Sequence, residues 1–166
     1  MTVSRPPSNT VPCKNWHLQY LCDRMRPDEI EQYVALTNAD FFDPDVAARG
    51  LMNIPGVKFT LAARDGFPIV SGGYQEVNPG VWLSWMVGSM DGWDKHWRSI
   101  TKATRWLMDG LLAEGARRLE TVVLSSRTKT IEWYERSLGM EFEGKKRAYC
   151  RDGQDLSMYV RLAEGL

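Results

Sequence analysis

This sequence predicts an α/β domain built on one central sheet of mixed strand direction, with helices on its faces. Three observations carry the prediction. Segments whose apolar side chains alternate every second residue are interleaved with segments of helical spacing. The strand segments are punctuated by the turn signals Asp65-Gly66 and Asn78-Pro79-Gly80. A helical stripe over 96–114 separates two apolar runs, 81–87 and 119–125, which suits a parallel β-α-β crossover. The chain has 166 residues, 43% of them apolar, enough for one domain with a sizeable core.

Taken in order, residues 1–15 are polar and proline-bearing and read as a flexible N-terminal arm or a tail pinned to the surface; 16–166 read as the domain. "WHLQYLCDRM" (16–25) reads as a first strand. A helix follows over 26–38, with Pro27 at its first position, Asp28 and Glu29 complementing its positive end, and Asn38 as its stop. Asp43 and Pro44 open a second helix. In "VKFTLAARDG", Val57, Phe59, Leu61 and Ala63 alternate with Lys58, Thr60, Ala62 and Arg64, as in a strand. "FPIVSGGYQEV" is its hairpin partner, and "VWLSWMV" (81–87), apolar on both faces, belongs centrally in the sheet. On the long helix Trp97, Ile100, Thr104, Leu107 and Leu111 form one stripe. A buried strand (119–125), a short helix ending at Gly139, and two strands joined by "RDGQ" complete the chain.

The composition narrows the function classes. Lys plus Arg equal Asp plus Glu, so a generally nucleic-acid-binding protein is not expected, although a local basic patch remains open. Three cysteines without a CxxC pair do not form a disulfide framework. With only two histidines, no metal set is expected. No apolar signal core and no stretch near 18 apolar residues are present, so the expectation is a soluble protein that no signal peptide exports and no membrane holds.

The element order and its joints resemble the GNAT (GCN5-related N-acetyltransferase) superfamily over about residues 16–162. The best local match is "TKTIEWYERSLGMEFEGKK…DGQDLSMYVRL", similar to the family's tyrosine-bearing helix and closing hairpin. Met140 stands in place of the family's Phe, and Tyr134 lies five residues before Gly139 where four is usual. "GFPIVSGG" (66–73) and the "RDGQ" turn are similar to GNAT-like proteins of short-tailed phages, including internal virion proteins. The resemblance implies a splayed parallel strand pair, 81–87 and 119–125, with acetyl-CoA in its opening. Backbone amides at Met86, Val87 and Gly88 would then hold the acyl and pantetheine parts. The pyrophosphate would sit on amides at the next helix start, an anion site of the usual helix-terminus kind. Lys95 and Arg98 would assist there, Arg127 stands where the family often has Asn, Tyr134 would protonate the leaving thiolate, and Glu76 could act as general base.

The joint "MVGSMDGWDKHWR" (86–98) departs from the family's Arg/Gln-x-x-Gly-x-Gly/Ala pattern. Gly88 and Gly92 come too early, Trp97 would crowd the phosphate nest, and Asp91 and Asp94 add negative charge. We therefore expect acetyl-CoA binding to be weakened or lost. The expected role is a virion component or host-directed binding protein, in the host cytoplasm or the virion. Met90, Trp93 and Trp97 on an exposed loop would contact a protein partner or a second copy. The alternative is an active acetyl-CoA-dependent N-acetyltransferase of a protein or small amine. Tyr134 and Glu76 also have plain readings, as a core tyrosine and a solvated acid. "GMEFEGKK" (139–146) mimics a P-loop, but Lys146 sits beyond the Gly-Lys pair where Ser or Thr is needed. The basic run "GKKRAYCR" (144–151) reads as a solvated strand face or as a site for an acidic partner.

Overall fold

A computed structural model describes residues 5–37 and 39–166. Asn38, expected to stop a helix, and the first four residues of the arm lie outside the described residues. Seven strands form one sheet in the order β1-β2-β3-β4-β5-β7-β6. They are β1 (Thr10–Pro12), β2 (Val57–Ala62), β3 (Pro68–Asn78), β4 (Val81–Gly88), β5 (Arg118–Leu124), β6 (Glu141–Lys146) and β7 (Leu156–Leu162). Five helices pack on it: α1 (Asn15–Cys22), α2 (Pro27–Leu36), α3 (Pro44–Asn53), α4 (Met90–Ala113) and α5 (Thr128–Leu138).

The first element differs from the expectation. Residues 15–22 form a helix, and the edge strand is Thr10–Pro12, inside the stretch assigned to the arm. The buried residues of that helix, His17, Leu18, Leu21 and Cys22, recur at intervals of four, which is helical spacing. Its start is closed by the Lys14 amide, which donates to His17 Nδ1 at 3.1 Å. The β-hairpin expectations hold: β2 and β3 pair antiparallel, as do β3 and β4. Thr60 faces away from the Phe59–Leu61 side yet is fully buried, its hydroxyl 2.7 Å from that of Ser71. Gly72 and Gly73 have a packing reason, since a Cβ on either would meet the backbone of a neighbouring strand.

β4 occupies the centre of the sheet and runs parallel to β5, as expected. The two pair only over Val81–Leu83 and Arg118–Glu120, although β4 continues to Gly88 and β5 to Leu124. The pair therefore splays towards its C-terminal ends. α4 begins at Met90, six residues earlier than expected, with Ser89 as its cap and non-helical angles at His96. The segment read as a loop is the first turn and a half of this helix. Ile100, Ala103, Thr104, Met108 and Leu111 form its buried stripe, and Trp97, placed there by spacing, is 47% exposed because it follows the break. In α5, Ile131, Tyr134 and Leu138 pack on the main core, and Gly139 ends the helix in the left-handed region. β6 stops at Lys146 because the rest of the hairpin folds back onto α2: the Arg151 amide and guanidinium reach the carbonyls of Ala35 and Ala39.

Candidate functional site

Where β4 and β5 diverge, a cavity of about 470 Å³ opens between them. Met86 and Trp133 line it from the α4 side of the sheet, and Trp85, Val87 and Tyr33 from the side of α1–α3. It thus passes through the sheet at the point where the strands stop pairing. Tyr134 of α5 and Thr121 of β5 line it as well. Burial raises the Tyr134 phenol above the ordinary tyrosine range, while the Thr121 hydroxyl and the Arg127 guanidinium act the other way.

The end of the gap next to α4 is closed by the protein itself. Glu29 of α2 is buried, and its carboxylate accepts the Gly88 amide at 3.2 Å and the Trp93 indole N–H at 3.0 Å. Arg26 donates to the same carboxylate at 3.2 Å and lies over the Trp93 ring at 4.5 Å. Burial raises the Glu29 carboxyl above the usual range, opposed by Arg26, the Gly88 amide and Arg127. Met25, next to Arg26, bridges to Ser89 and so covers the tip of β4. The Ser89 hydroxyl takes the Gly92 amide at 3.0 Å, which satisfies a free donor of the helix start. Trp93 lies so close to Gly88 that a Cβ there would fall 2.5 Å from the indole nitrogen. Gly88 therefore makes room for an indole, and Gly92 for the Ile69 carbonyl.

A second set of contacts closes the tip of β5. Gln32, one turn after Glu29 on α2, accepts the Leu124 amide at 3.2 Å and the Arg127 guanidinium at 2.8 Å. Arg127 also pairs with Asp28 at 2.9 Å. Among the described residues, two donors at the cavity walls have no hydrogen-bond partner, Arg26 Nε, which stands 3.7 Å from the Asp28 carboxylate, and Trp85 Nε1.

The residues expected at the site divide accordingly. Tyr134, Met86, Val87 and Arg127 line the cavity, and Gly88 adjoins it. Glu76 does not; it is exposed and accepts the Gly80 amide at 2.8 Å, closing the β3–β4 turn. Lys95 and Arg98 are exposed and outside the cavity, Lys95 beside Asp91 at 3.7 Å and Arg98 over the Trp97 ring. Trp93, expected to be well exposed, is half-buried against Trp133, with ring centroids 5.3 Å apart; Met90 and Trp97 are exposed. The tryptophan packed against the tip of β4 is thus Trp93, while Trp97 is exposed. The sequence places none of Arg26, Glu29 and Gln32 at the site; Glu29 reads there only as an acid at a helix start. The only signal was their one-turn spacing on an acidic helix start, which reads equally as ordinary helix chemistry. Among the described residues no group of three or more His, Cys, Asp or Glu is placed to hold a metal ion, and no helix is long and apolar enough to cross a membrane.

No protein-family model matches the chain, and no curated protein matches it. Solved structures do. A GNAT-family acetyltransferase from Bacillus anthracis superposes with TM-score 0.71 at 13% identity, covering 93% of this chain and 94% of that one. A ribosomal-protein-alanine N-acetyltransferase from Brucella melitensis gives 0.69 at 16% identity, covering 92% and 98%. A GNAT-superfamily phosphinothricin acetyltransferase from Sinorhizobium meliloti, solved in complex with AcCoA, gives 0.62 at 16% identity, covering 94% and 89%. The chain has the GNAT fold.

Proposed function

We propose that this GNAT-fold chain is a binding protein whose own side chains occupy the acetyl-CoA pyrophosphate site, and that it serves as a phage-type virion component or host-directed factor. The observation that carries the reading is Glu29. Its carboxylate takes the Gly88 amide and the Trp93 indole where the fold would offer donors to a phosphate. A pyrophosphate there would face a buried carboxylate and find the indole in its place. Like charges sharing a poorly solvated site oppose each other strongly. The cavity of about 470 Å³ continues from there to Tyr134 and Thr121, so the misfit lies at the phosphate end. The phage assignment rests on "GFPIVSGG" and "RDGQ" alone.

Calorimetric titration with acetyl-CoA and with CoA tests the reading. The expected dissociation constant is weaker than about 100 μM, or roughly −5.5 kcal/mol. Low-micromolar binding overturns it. That outcome favours the second reading, an acetyl-CoA-dependent N-acetyltransferase of a protein or small amine. One observation speaks for this alternative: Tyr134 lines the open part of the gap.

A further inference from the structure

We propose that the outer face of α4 docks an acidic segment of a partner protein that carries apolar anchors. Arg98, Lys102 and Arg105 stand at i, i+4 and i+7 along one side of this helix. With Arg5 opposite them they line an open groove of about 760 Å³. Among the described residues, no ion pair or hydrogen bond engages any of these four cations. Asp109, the acid in the groove, is taken by Arg161 at 2.7 Å. In a chain of zero formal charge this groove is strongly and locally positive.

Apolar anchors stand at the N-terminal end of the same helix. Trp97 is 47% and Met90 54% exposed, and the Arg98 guanidinium lies 4.9 Å from the centre of the Trp97 ring. Trp, Met and Arg together are the composition of protein-interface centres. An acidic chain with a few large apolar residues answers both features, with its carboxylates on Arg98, Lys102 and Arg105 and an apolar side chain on Trp97. A nucleic-acid strand fits less well: it carries a charge at every unit, whereas a peptide can set an uncharged apolar residue on Trp97, one turn from exposed Asp94. The groove shares no lining residue with the cavity between β4 and β5, so this inference stands whether or not acetyl-CoA binds there.

The test is fluorescence anisotropy with a fluorescein-labelled twelve-residue peptide of repeated Glu-Glu-Leu, beside a labelled twelve-nucleotide oligothymidylate. We expect saturable peptide binding at about 50 mM salt that weakens at least about fivefold by about 200 mM, as screening requires. Charge reversal by R98E with R105E should weaken it about tenfold or more, and W97A about fivefold. All three positions are solvent-facing, and matching thermal melts confirm that the variants fold. Absence of saturable binding, or equal binding by wild type and the charge-reversed variant, overturns the proposal. Tighter binding of the oligothymidylate also overturns it and makes the groove a nucleic-acid surface.

Discussion

The two ends of the gap between β4 and β5 are built from the same strands, yet they are filled differently. Next to α4, the gap is packed with Glu29, Arg26 and Trp93, and backbone donors are taken by side chains of the same chain. Towards α5, Gln32 and Arg127 hold the tip of β5, and Tyr134 and Thr121 line the cavity beside it. In the reading proposed above, the fold keeps the room for a ligand while giving up the ligand's most strongly charged anchor. The end next to α4 is held by a buried carboxylate with three donors, whereas Tyr134 lines the cavity, so substitutions at the two should behave differently.

The largest expected effect is that of Glu29→Ala. It leaves Arg26, the Gly88 amide and the Trp93 indole without their shared acceptor, at a cost of about 3–4 kcal/mol in urea denaturation. Trp93→Ala should follow closely, at about 3 kcal/mol, because the indole packs on Trp133 and the β2–β3 core. Trp97→Ala, four residues on but exposed, should stay within about 0.5 kcal/mol. Equal losses for the two tryptophans would break the comparison.

Acidity offers a finer probe of the closed end. Burial raises the Glu29 carboxyl above its ordinary value of 4.5, so between that value and the raised one the folded chain binds more protons than the unfolded chain. The stabilisation from the neutral acid is full below the ordinary value and is lost as pH rises through the raised one. Glu29→Gln cannot titrate. The stability of wild type relative to this variant should therefore grow as pH falls from neutrality towards 4.5. Paired denaturation curves across that range measure it, and a flat difference would mean that Glu29 is not desolvated. Tyr134 should respond more weakly than Glu29 or Trp93. Tyr134→Phe should cost under about 1 kcal/mol. If purified protein does transfer acetyl groups, the same change should lower turnover by about 10²-fold; unchanged turnover would make Tyr134 a packing residue.

Most of the sheet was legible in the sequence because two-residue alternation and turn dipeptides are local signals. Asp65-Gly66 and Asn78-Pro79-Gly80 mark the turns of the β2–β3–β4 meander where they stand. Tyr134 was readable because a spaced motif ending in Gly139 surrounds it. The first helix was missed because a segment of eight residues satisfies both periods, and only the contacts of Leu18 and Leu21 decide between them. The start of α4 was missed for a different reason. Its glycines and aspartates disfavour helix on propensity, and the Ser89 cap with tertiary packing of Trp93 outweighs them. The Glu29 cluster joins residues 59 and 64 positions apart, and no local pattern can announce such a contact.

One turn of α2 spans the tips of both diverging strands: Glu29 holds the end of β4, and Gln32, three residues on, holds the end of β5. The helix is in effect a brace across an open angle. Three residues of helix rise about 4.5 Å, so the width of the opening is tied to a length that helical geometry holds nearly constant. The angle at which the two strands part is thus set by one turn of helix, not by whatever lies between them.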